Sequence, residues 1–313
     1  MSLDPVIRFD RVSKRYGKQQ ALDGVTFEVP PGVVFALLGE NGAGKSSTIR
    51  ILLGLTEPDA GTTRVLGLSS QREGVQVRGS VGYVAERPAL DEWMRVGELG
   101  WFVSGFYASD KFQENYQQQV RTFGVPLDRK IRELSKGMRS KVALALALAS
   151  EPRLLILDEP TSGLDTMVRR EFLESMVDFT SDGKTVFLAS HQIHEVERVA
   201  DIVAIVRAGK LLVCESLDTL KDNTTEVTAT LREQYTPNEL PAGVLTSAQR
   251  GRQWQLIVRA NPDIAADTVR RLPGVEHVET HRPSLEEIFV AFMKTPEEQI
   301  PQALSGSPAE VWQ

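Results

Sequence analysis

The sequence predicts an α/β protein, with a parallel-sheet domain that carries a helical insertion and a small α+β domain after it. Three observations support this prediction. Short apolar segments alternate with helical ones over the first two thirds of the chain. The strand signal disappears between about residues 88 and 137, and the pattern changes again after residue 216. A length of 313 residues is sufficient for two such domains.

Seven apolar segments are predicted as strands of the first domain, and their Val, Ile and Leu residues are mostly continuous. Such runs are typical of strands buried on both faces, as in a parallel sheet between helices. The segments are residues 6–12, 25–29, 32–39, 81–86, 153–159, 184–191 and 201–209. Residues 142–149, VALALALA, alternate like a strand, but their Ala and Leu content and the following Glu151-Pro152 favour a helix.

The helical character of residues 91–107 and 111–124 predicts a helical subdomain at about 88–140, within a first domain that spans 1–215. A second domain, 216–295, is predicted from strands at 226–233, 253–260 and 274–282 and from helices at 261–274 and 283–293. Residues 296–313 are rich in Pro, Ser and Gln, which predicts a disordered tail.

Composition limits the classes of function. The formal net charge is −6, from 36 Lys and Arg against 42 Asp and Glu, so we expect no nucleic-acid partner. Cys214 is the only cysteine, which excludes an internal disulfide and fits a reducing cytoplasm. We expect no signal peptide, and the longest apolar run, 142–149, is far shorter than the roughly 20 residues of a membrane span. A membrane role would therefore need a separate membrane subunit.

Residues 39–46, GENGAGKS, lie between a buried strand and a helix and fit the pattern G-x-x-x-x-G-K-[ST]. The glycines let backbone N–H groups converge on phosphate oxygens, and the helix N-terminus faces the same anion. Lys45 is predicted to contact the β- and γ-phosphates of a nucleotide, and the Ser46 hydroxyl to bind Mg²⁺. The alternative is a glycine-rich turn with an incidental lysine. The predicted nucleotide contacts are Gly39, Glu40, Asn41, Gly42, Ala43, Gly44, Lys45, Ser46 and Ser47.

Two acids, Asp158 and Glu159, end the apolar segment RLLILDE. Parallel sheets bind ligands beyond the carboxyl ends of their strands, where the phosphate loop also lies. Asp158 is therefore predicted to hold Mg²⁺, and Glu159 to act as the general base for the attacking water. The alternative is a strand that simply ends in solvent.

Over about residues 5 to 215, the sequence resembles the ATPase subunits of ABC transporters. The resemblance is carried by GENGAGKS, by LSKGM at 134–138 for the signature, by LLILDE for Walker B, by SGLD at 162–165 for the D-loop, and by LASH at 188–191 for the switch. It implies that Tyr16 stacks on adenine and that His191 contacts the γ-phosphate or the attacking water. It also implies that ATP lies between two subunits, one of which provides Gly39–Ser46, Asp158, Glu159 and His191 while the other provides Ser135, Gly137 and Asp165.

Three positions, in two segments, depart from the family pattern. In LSKGM, Lys136 and Met138 replace the glycine and glutamine of the usual LSGGQ. An added cation should support phosphate contact unless its Cβ blocks the approach, and Ser135 also fits a plain helix cap. Glu86 stands where the family has glutamine, and its carboxylate keeps an oxygen that can bind Mg²⁺ or orient water. The alternative for Glu86 is a solvated loop residue.

The segment RPSLEEIFVAFM, 282–293, resembles the accessory region of drug, antibiotic and polysaccharide exporters of this family. The resemblance implies an ATP-hydrolysing exporter subunit that works as a homodimer with integral-membrane permease subunits, at the cytoplasmic face of the membrane. One alternative is a soluble ABC ATPase that acts on ribosomes or nucleic acid, and another is a regulatory nucleotide sensor. His194 in HQIHE fits no zinc motif and is interpreted as an ordinary helix residue.

Overall fold

The computed structural model describes residues 4–107, 109–232 and 240–296, so the tail predicted at 296–313 lies outside the described residues from 297 onward. The strands are β1 Ile7–Tyr16, β2 Gln19–Val29, β3 Val34–Leu38, β4 Ala60–Val65, β5 Leu68–Ser69, β6 Val81–Val84, β7 Leu154–Asp158, β8 Thr185–Ser190, β9 Ile202–Arg207, β10 Lys210–Ser216, β11 Thr225–Leu231, β12 Val244–Arg250, β13 Gln253–Val258 and β14 Val275–His281. The helices are α1 Lys45–Leu52, α2 Gly74–Ser80, α3 Val96–Ser104, α4 Phe112–Thr122, α5 Lys136–Ala149, α6 Thr166–Ser181, α7 Ile193–Val199, α8 Leu217–Asp222, α9 Pro262–Arg270 and α10 Leu285–Lys294, with a short 3-10 helix at Ile131–Glu133.

The central sheet has the strand order β10-β9-β3-β8-β7-β6. Its pairs β9/β3, β3/β8, β8/β7 and β7/β6 are parallel, and only the edge strand β10 runs antiparallel. Every residue of β3, β7 and β8 is buried, which is why these segments are continuous apolar runs. Because β3 and β7 are parallel members of one sheet, the loops after them open at the same edge.

The first two predicted strands are not part of this sheet, so the expectation of a single parallel sheet was wrong for them. β1 and β2 pair antiparallel and join β4 and β5 in a second sheet of order β2-β1-β4-β5. Its Phe27 ring stacks on Phe9 and on Phe35 of β3, with centroids 4.9 and 5.3 Å apart. β4 was not predicted, because its sequence AGTTRV lacks an apolar run.

The helical subdomain has a small core of its own. Phe112, Tyr116 and Val120 of α4 pack with Val142 and Ala145 of α5. The VALALALA segment lies within α5, as predicted, and the Ser135 hydroxyl caps this helix by accepting from the Met138 N–H at 3.2 Å. Alternating Ala and Leu suit a helix here because both faces of α5 are covered.

The C-terminal strands form a third sheet of order β12-β13-β11-β14, in which β12 was not predicted. Helix α10 packs against β12 of this sheet on one side and against α7 of the first domain on the other. Its residues Leu285, Ile288 and Phe292 belong to the same hydrophobic cluster as strands β7, β8 and β9. The Arg207 guanidinium, at the end of β9, donates to three carbonyls at the C-terminus of α10. The last helix thus lies between the first domain and the C-terminal sheet and packs against both.

Among the residues that the structure describes, no helix is long and apolar enough to cross a membrane.

Candidate nucleotide-binding site

The phosphate loop connects the buried end of β3 to the N-terminus of α1. Gly44 has φ +115°, and a Cβ built there would lie 2.6 Å from the Ala21 carbonyl oxygen. Gly39 has an ordinary φ, but its Cβ would lie 2.6 Å from the Val206 carbonyl oxygen. Gly42, with φ +83°, has open space around it. The loop thus needs glycine for two separate reasons, left-handed backbone and close approach of neighbouring strands.

Lys45 is buried beneath this loop, with 6% of its surface exposed. Its Nζ donates to the carbonyl oxygens of Gly39 at 2.7 Å and Glu40 at 3.3 Å, and it lies 3.2 Å from Oε1 of Glu159. Burial of a lone ammonium is costly, so the paired carboxylate stabilises it. The structure therefore brings two of the predicted catalytic residues into direct contact.

Glu159 has a backbone φ of +48°, in the left-handed region that a glutamate rarely occupies. This conformation turns its side chain back to the sheet edge, where it is 7% exposed. Its Oε2 is 2.7 Å from Nδ1 of His191 and accepts from the His191 backbone N–H at 3.2 Å. Because a carboxylate paired with Lys45 only accepts hydrogen bonds, Nδ1 carries the proton and Nε2 stays free for another partner.

Asp158 lies at the end of β7 with 8% of its surface exposed, and its Oδ1 has no hydrogen-bond partner among the described residues. Burial raises the pKa of this carboxyl, a hydrogen bond from Ser46 lowers it, and the charges of Glu159 and Glu86 raise it further. Glu86 comes from the loop after β6 and lines the same cavity as Ser46 and Glu159. The result is a group of negatively charged carboxylates in which Oδ1 of Asp158 lacks a hydrogen-bond partner among the described residues.

A cavity of about 250 Å³ opens over the phosphate loop. It is lined by side chains and backbone from the first sheet, the loop and the strand ends: Tyr16, Gln19, Ala21, Glu40, Asn41, Gly42, Gly44, Lys45, Ser46, Ser47, Glu86 and Glu159. Tyr16 is 42% exposed at its rim, available for stacking. Gln19 and Ala21 of β2 were not predicted as site residues, because no local sequence pattern indicates that this strand lines the cavity.

Ser135, Gly137 and Asp165 do not line this cavity. Ser135 and Asp165 cap the neighbouring helices α5 and α6, and Asp165 accepts from the backbone N–H groups of Met167 and Val168. Gly137 packs against Val168, which would lie 3.1 Å from an added Cβ. The signature and the loop 162–165 are thus adjacent to each other, at a separate place from the phosphate loop of the same chain.

A buried polar cluster lies near the switch residue, His191. The Thr161 hydroxyl donates to the carboxylate of Glu195 in α7, and Glu195 Oε1 lies 2.9 Å from Nε of Arg169 in α6. Glu195 is 7% exposed. This cluster ties the segment after Glu159 to the helix that follows His191. The sequence does not indicate this cluster, because a glutamate in a polar helix is typical of a solvated residue. His194, on the same helix, lies 2.9 Å from Glu286 of α10.

The fold and this site define an ATP-binding cassette, and comparison with known proteins agrees. Residues 22–162 match the sequence model of the ABC transporter family. The chain is 32% identical over 313 residues to a daunorubicin resistance ATP-binding protein of Streptomyces coeruleorubidus, covering 92% of this chain and 95% of that protein. It is 32% identical over 307 residues to a Nod factor export ATP-binding protein of Burkholderia orbicola (strain AU 1054), covering 93% and 97%.

Solved structures support the same assignment. An ATP-binding subunit of an ABC transporter matches with a TM-score of 0.64 and 31% identity, over 69% of this chain and 92% of that one. A dimeric bacterial ABC transporter cassette matches with a TM-score of 0.61 over 67% and 98%, and its 23% identity shows the fold alone. The chain belongs to the ATP-binding subunits of ABC transporters, and the predicted fold class is confirmed. It binds and hydrolyses ATP to energise transport.

Proposed function

We propose that this chain is the ATPase subunit of an exporter. The observation that carries the proposal is the convergence of Lys45, Glu159 and His191 beside the phosphate loop, in a chain whose full-length relatives are named for export and for drug resistance. We further propose that residues 1–215 form the cassette and 216–295 an accessory domain. Their separate β-sheets support this division.

The residues around Asp158 fit Mg²⁺. Hard cations take oxygen ligands, and the unpartnered Oδ1 of Asp158, the Ser46 hydroxyl and the Glu86 carboxylate are all oxygen donors. The described residues hold no group of three or more His, Cys, Asp or Glu side chains able to bind a metal unaided. Phosphate oxygens of ATP would therefore have to complete the coordination. When bound, the cation would neutralise charge on the β- and γ-phosphates.

The contacts of Glu159 fit a general base. Water attacks the γ-phosphorus, the bond to the β–γ bridging oxygen breaks, and the water proton passes to the Glu159 carboxylate. His191 holds this carboxylate through Nδ1 and leaves Nε2 to hydrogen-bond the γ-phosphate or the water. Phosphate oxygens compete with the carbonyls of Gly39 and Glu40 for the Lys45 ammonium, which positions the triphosphate.

A second copy of the chain would complete the site. Ser135 and Asp165 are exposed and lie outside the nucleotide cavity of their own chain, so they have accessible surface to offer a partner. A two-fold dimer places the same patch of each copy on the other, which would set each signature loop against the partner's phosphate loop. Ser135, Gly137 and Asp165 are proposed to contact the partner's nucleotide.

The helical subdomain is the proposed docking surface for a membrane permease, which would hold the chain at the cytoplasmic face of the membrane. It carries exposed aromatic side chains that a solvated surface does not need: Trp93 is 67% exposed, Trp101 71% and Phe106 75%. Such residues are enriched where proteins bind one another.

The test combines hydrolysis with assembly. Glu159→Gln should lower the rate of ATP hydrolysis by about 100-fold or more, the effect of losing a general base. In light scattering, ATP and Mg²⁺ should convert this variant to a dimer. Adding Ser135→Arg should restore the monomer without loss of ATP binding. Full turnover in Glu159→Gln would contradict the role of Glu159, and a dimer that persists with Ser135→Arg would contradict the composite site.

A further inference from the structure

Glu195 is a buried carboxylate that takes no direct part in the proposed hydrolysis. It lies in the first turn of α7, four residues after His191, and is 7% exposed. A buried charge is costly unless it is paired, and an apolar side chain of similar size would fill the space without that cost. A carboxylate at this position therefore indicates a role beyond filling the core.

One oxygen of Glu195 holds the segment that follows the proposed general base. The Thr161 hydroxyl donates to Oε2 of Glu195, and Thr161 is 2% exposed and lies two residues after Glu159. The Gln192 side-chain amide donates to the same hydroxyl at 3.5 Å. Glu159 has the strained φ of +48°, and a conformation of this kind persists only where surrounding contacts fix it. The contact of Thr161 with Glu195 is one of those that restrain this segment.

The other oxygen of Glu195 reaches the loop 162–165 through Arg169. Oε1 of Glu195 lies 2.9 Å from Nε of Arg169, as an ion pair without hydrogen-bond geometry. The same guanidinium donates through Nη2 to the Leu164 carbonyl oxygen at 3.2 Å. One carboxylate thus restrains the chain at two points between Glu159 and the start of α6.

Glu195 also lies on the helix that directly follows the switch. His191 contacts the Glu159 carboxylate through Nδ1 at 2.7 Å and through its backbone N–H at 3.2 Å. A displacement of α7 relative to residues 159–165 would therefore change both distances. The contacts of Glu195 oppose such a displacement, because they join α7 directly to those residues.

We propose that Glu195 is a positioning residue for ATP hydrolysis, which acts through Thr161 and Arg169 and touches no reacting atom. It holds residues 159–165 against α7, so that the Glu159 carboxylate stays aligned for the attacking water. The inference rests on the general-base role of Glu159 proposed above. A misplacement of about 1 Å can lower a reaction rate on the order of 100-fold. The effect of loosening this contact therefore falls on kcat, with little change in ATP binding.

The test is steady-state ATP hydrolysis by the full chain. Thr161→Val replaces the hydroxyl by a methyl group and should lower kcat about tenfold, with KM within about twofold of the parent. Thr161→Ser keeps the donor and should restore most of kcat. Thr224→Val is the matched control, because Thr224 is equally buried and donates to the Leu220 carbonyl at 2.7 Å but does not line the nucleotide cavity. It should leave kcat unchanged even where it lowers Tm.

Two combined variants separate positioning from a loss of stability. Glu195→Ala should lower kcat about as much as Thr161→Val, and the double variant should lose no more than the larger single loss, because residues that act as a unit are not additive. In Glu159→Gln, the single-turnover rate should be the same with and without Thr161→Val, because the carboxylate that is positioned has been removed.

An unchanged kcat in Thr161→Val would overturn the proposal and leave the role of Glu159 intact. An equal decrease of kcat in Thr224→Val would assign Thr161 a purely structural role, and additive losses in the double variant would show that Thr161 and Glu195 act separately; either result overturns the proposal. A further slowing of Glu159→Gln by Thr161→Val would do the same. Full turnover in Glu159→Gln would instead contradict the general-base role of Glu159 itself.

Discussion

Phe292 tests how far the C-terminal helix belongs to the cassette core. Its side chain is fully buried, in the cluster that also contains the central-sheet residues Leu157 and Leu188. The carbonyl of Phe292 accepts from the Arg207 guanidinium at 2.8 Å. We therefore expect Phe292→Ala to leave a cavity where the first domain meets the C-terminal sheet, although the residue lies nearly 80 positions after the predicted boundary at 215.

The magnitude follows from the burial. A fully buried Phe→Ala change costs about 3–5 kcal/mol, from lost transfer energy and from the cavity. Domains of about 150–250 residues lose roughly 2–4 °C of Tm per kcal/mol, so the expected decrease is roughly 6–20 °C. The total stability of a domain is only about 5–15 kcal/mol, so this change removes a large part of it.

The assay is thermal unfolding followed by circular dichroism, with ATP-binding affinity measured well below Tm to verify the fold. Val290→Ala is the matched control, because Val290 lies on the same helix and is 39% exposed. It should change stability by less than about 1 kcal/mol. Equal Tm decreases in the two variants would refute the view that Phe292 is part of a core shared by the cassette and the C-terminal sheet.

Two further predictions concern the phosphate loop and the pH dependence of stability. Gly44→Ala should weaken ATP binding, measured by calorimetry, more than Gly42→Ala does. Both substitutions strain the backbone by about 1–3 kcal/mol, but only the Cβ added at position 44 would also collide with the Ala21 carbonyl oxygen. Equal affinities of the two variants would contradict this prediction. Burial favours a higher pKa for Glu197, but hydrogen bonds from Lys221 and from the Leu285 backbone lower it below its ordinary 4.5. Glu197 therefore stabilises the fold above about pH 4.5, and this contribution is lost as pH falls through the lowered pKa. The Tm difference between the parent and Glu197→Gln should shrink from pH 7 to pH 3, whereas a constant difference would rule out this linkage.

Local signals in the sequence determined much of the site. The glycine spacing of residues 39–46 specifies a turn between a buried strand and a helix, a pattern that can be read from these residues alone. The acids Asp158 and Glu159 were identified because they end an apolar strand. The helix at VALALALA was identified from its composition and its stop signal, although its alternation imitates a strand. All of these features are set within about ten residues of chain.

Such local signals do not predict contacts between segments that are distant in the sequence. β1 and β2 were assigned to the wrong sheet, because a short apolar run gives no information on which strand it will pair with. The placement of α10 against the first domain depends on Arg207 and on α7, which precede it by some 80 residues.

The sequence by itself therefore determined the nature of the protein: its α/β class, its phosphate loop, its family and the chemical type of each site residue. Only the tertiary structure decided which of these residues touch. It joined Lys45, Glu159 and His191, which are separated by 114 and 32 positions, and set Ser135 and Asp165 outside that cavity. The physical reason is that burial and pairing depend on the whole packed core, whereas turns, caps and helix propensity depend on a few neighbouring residues.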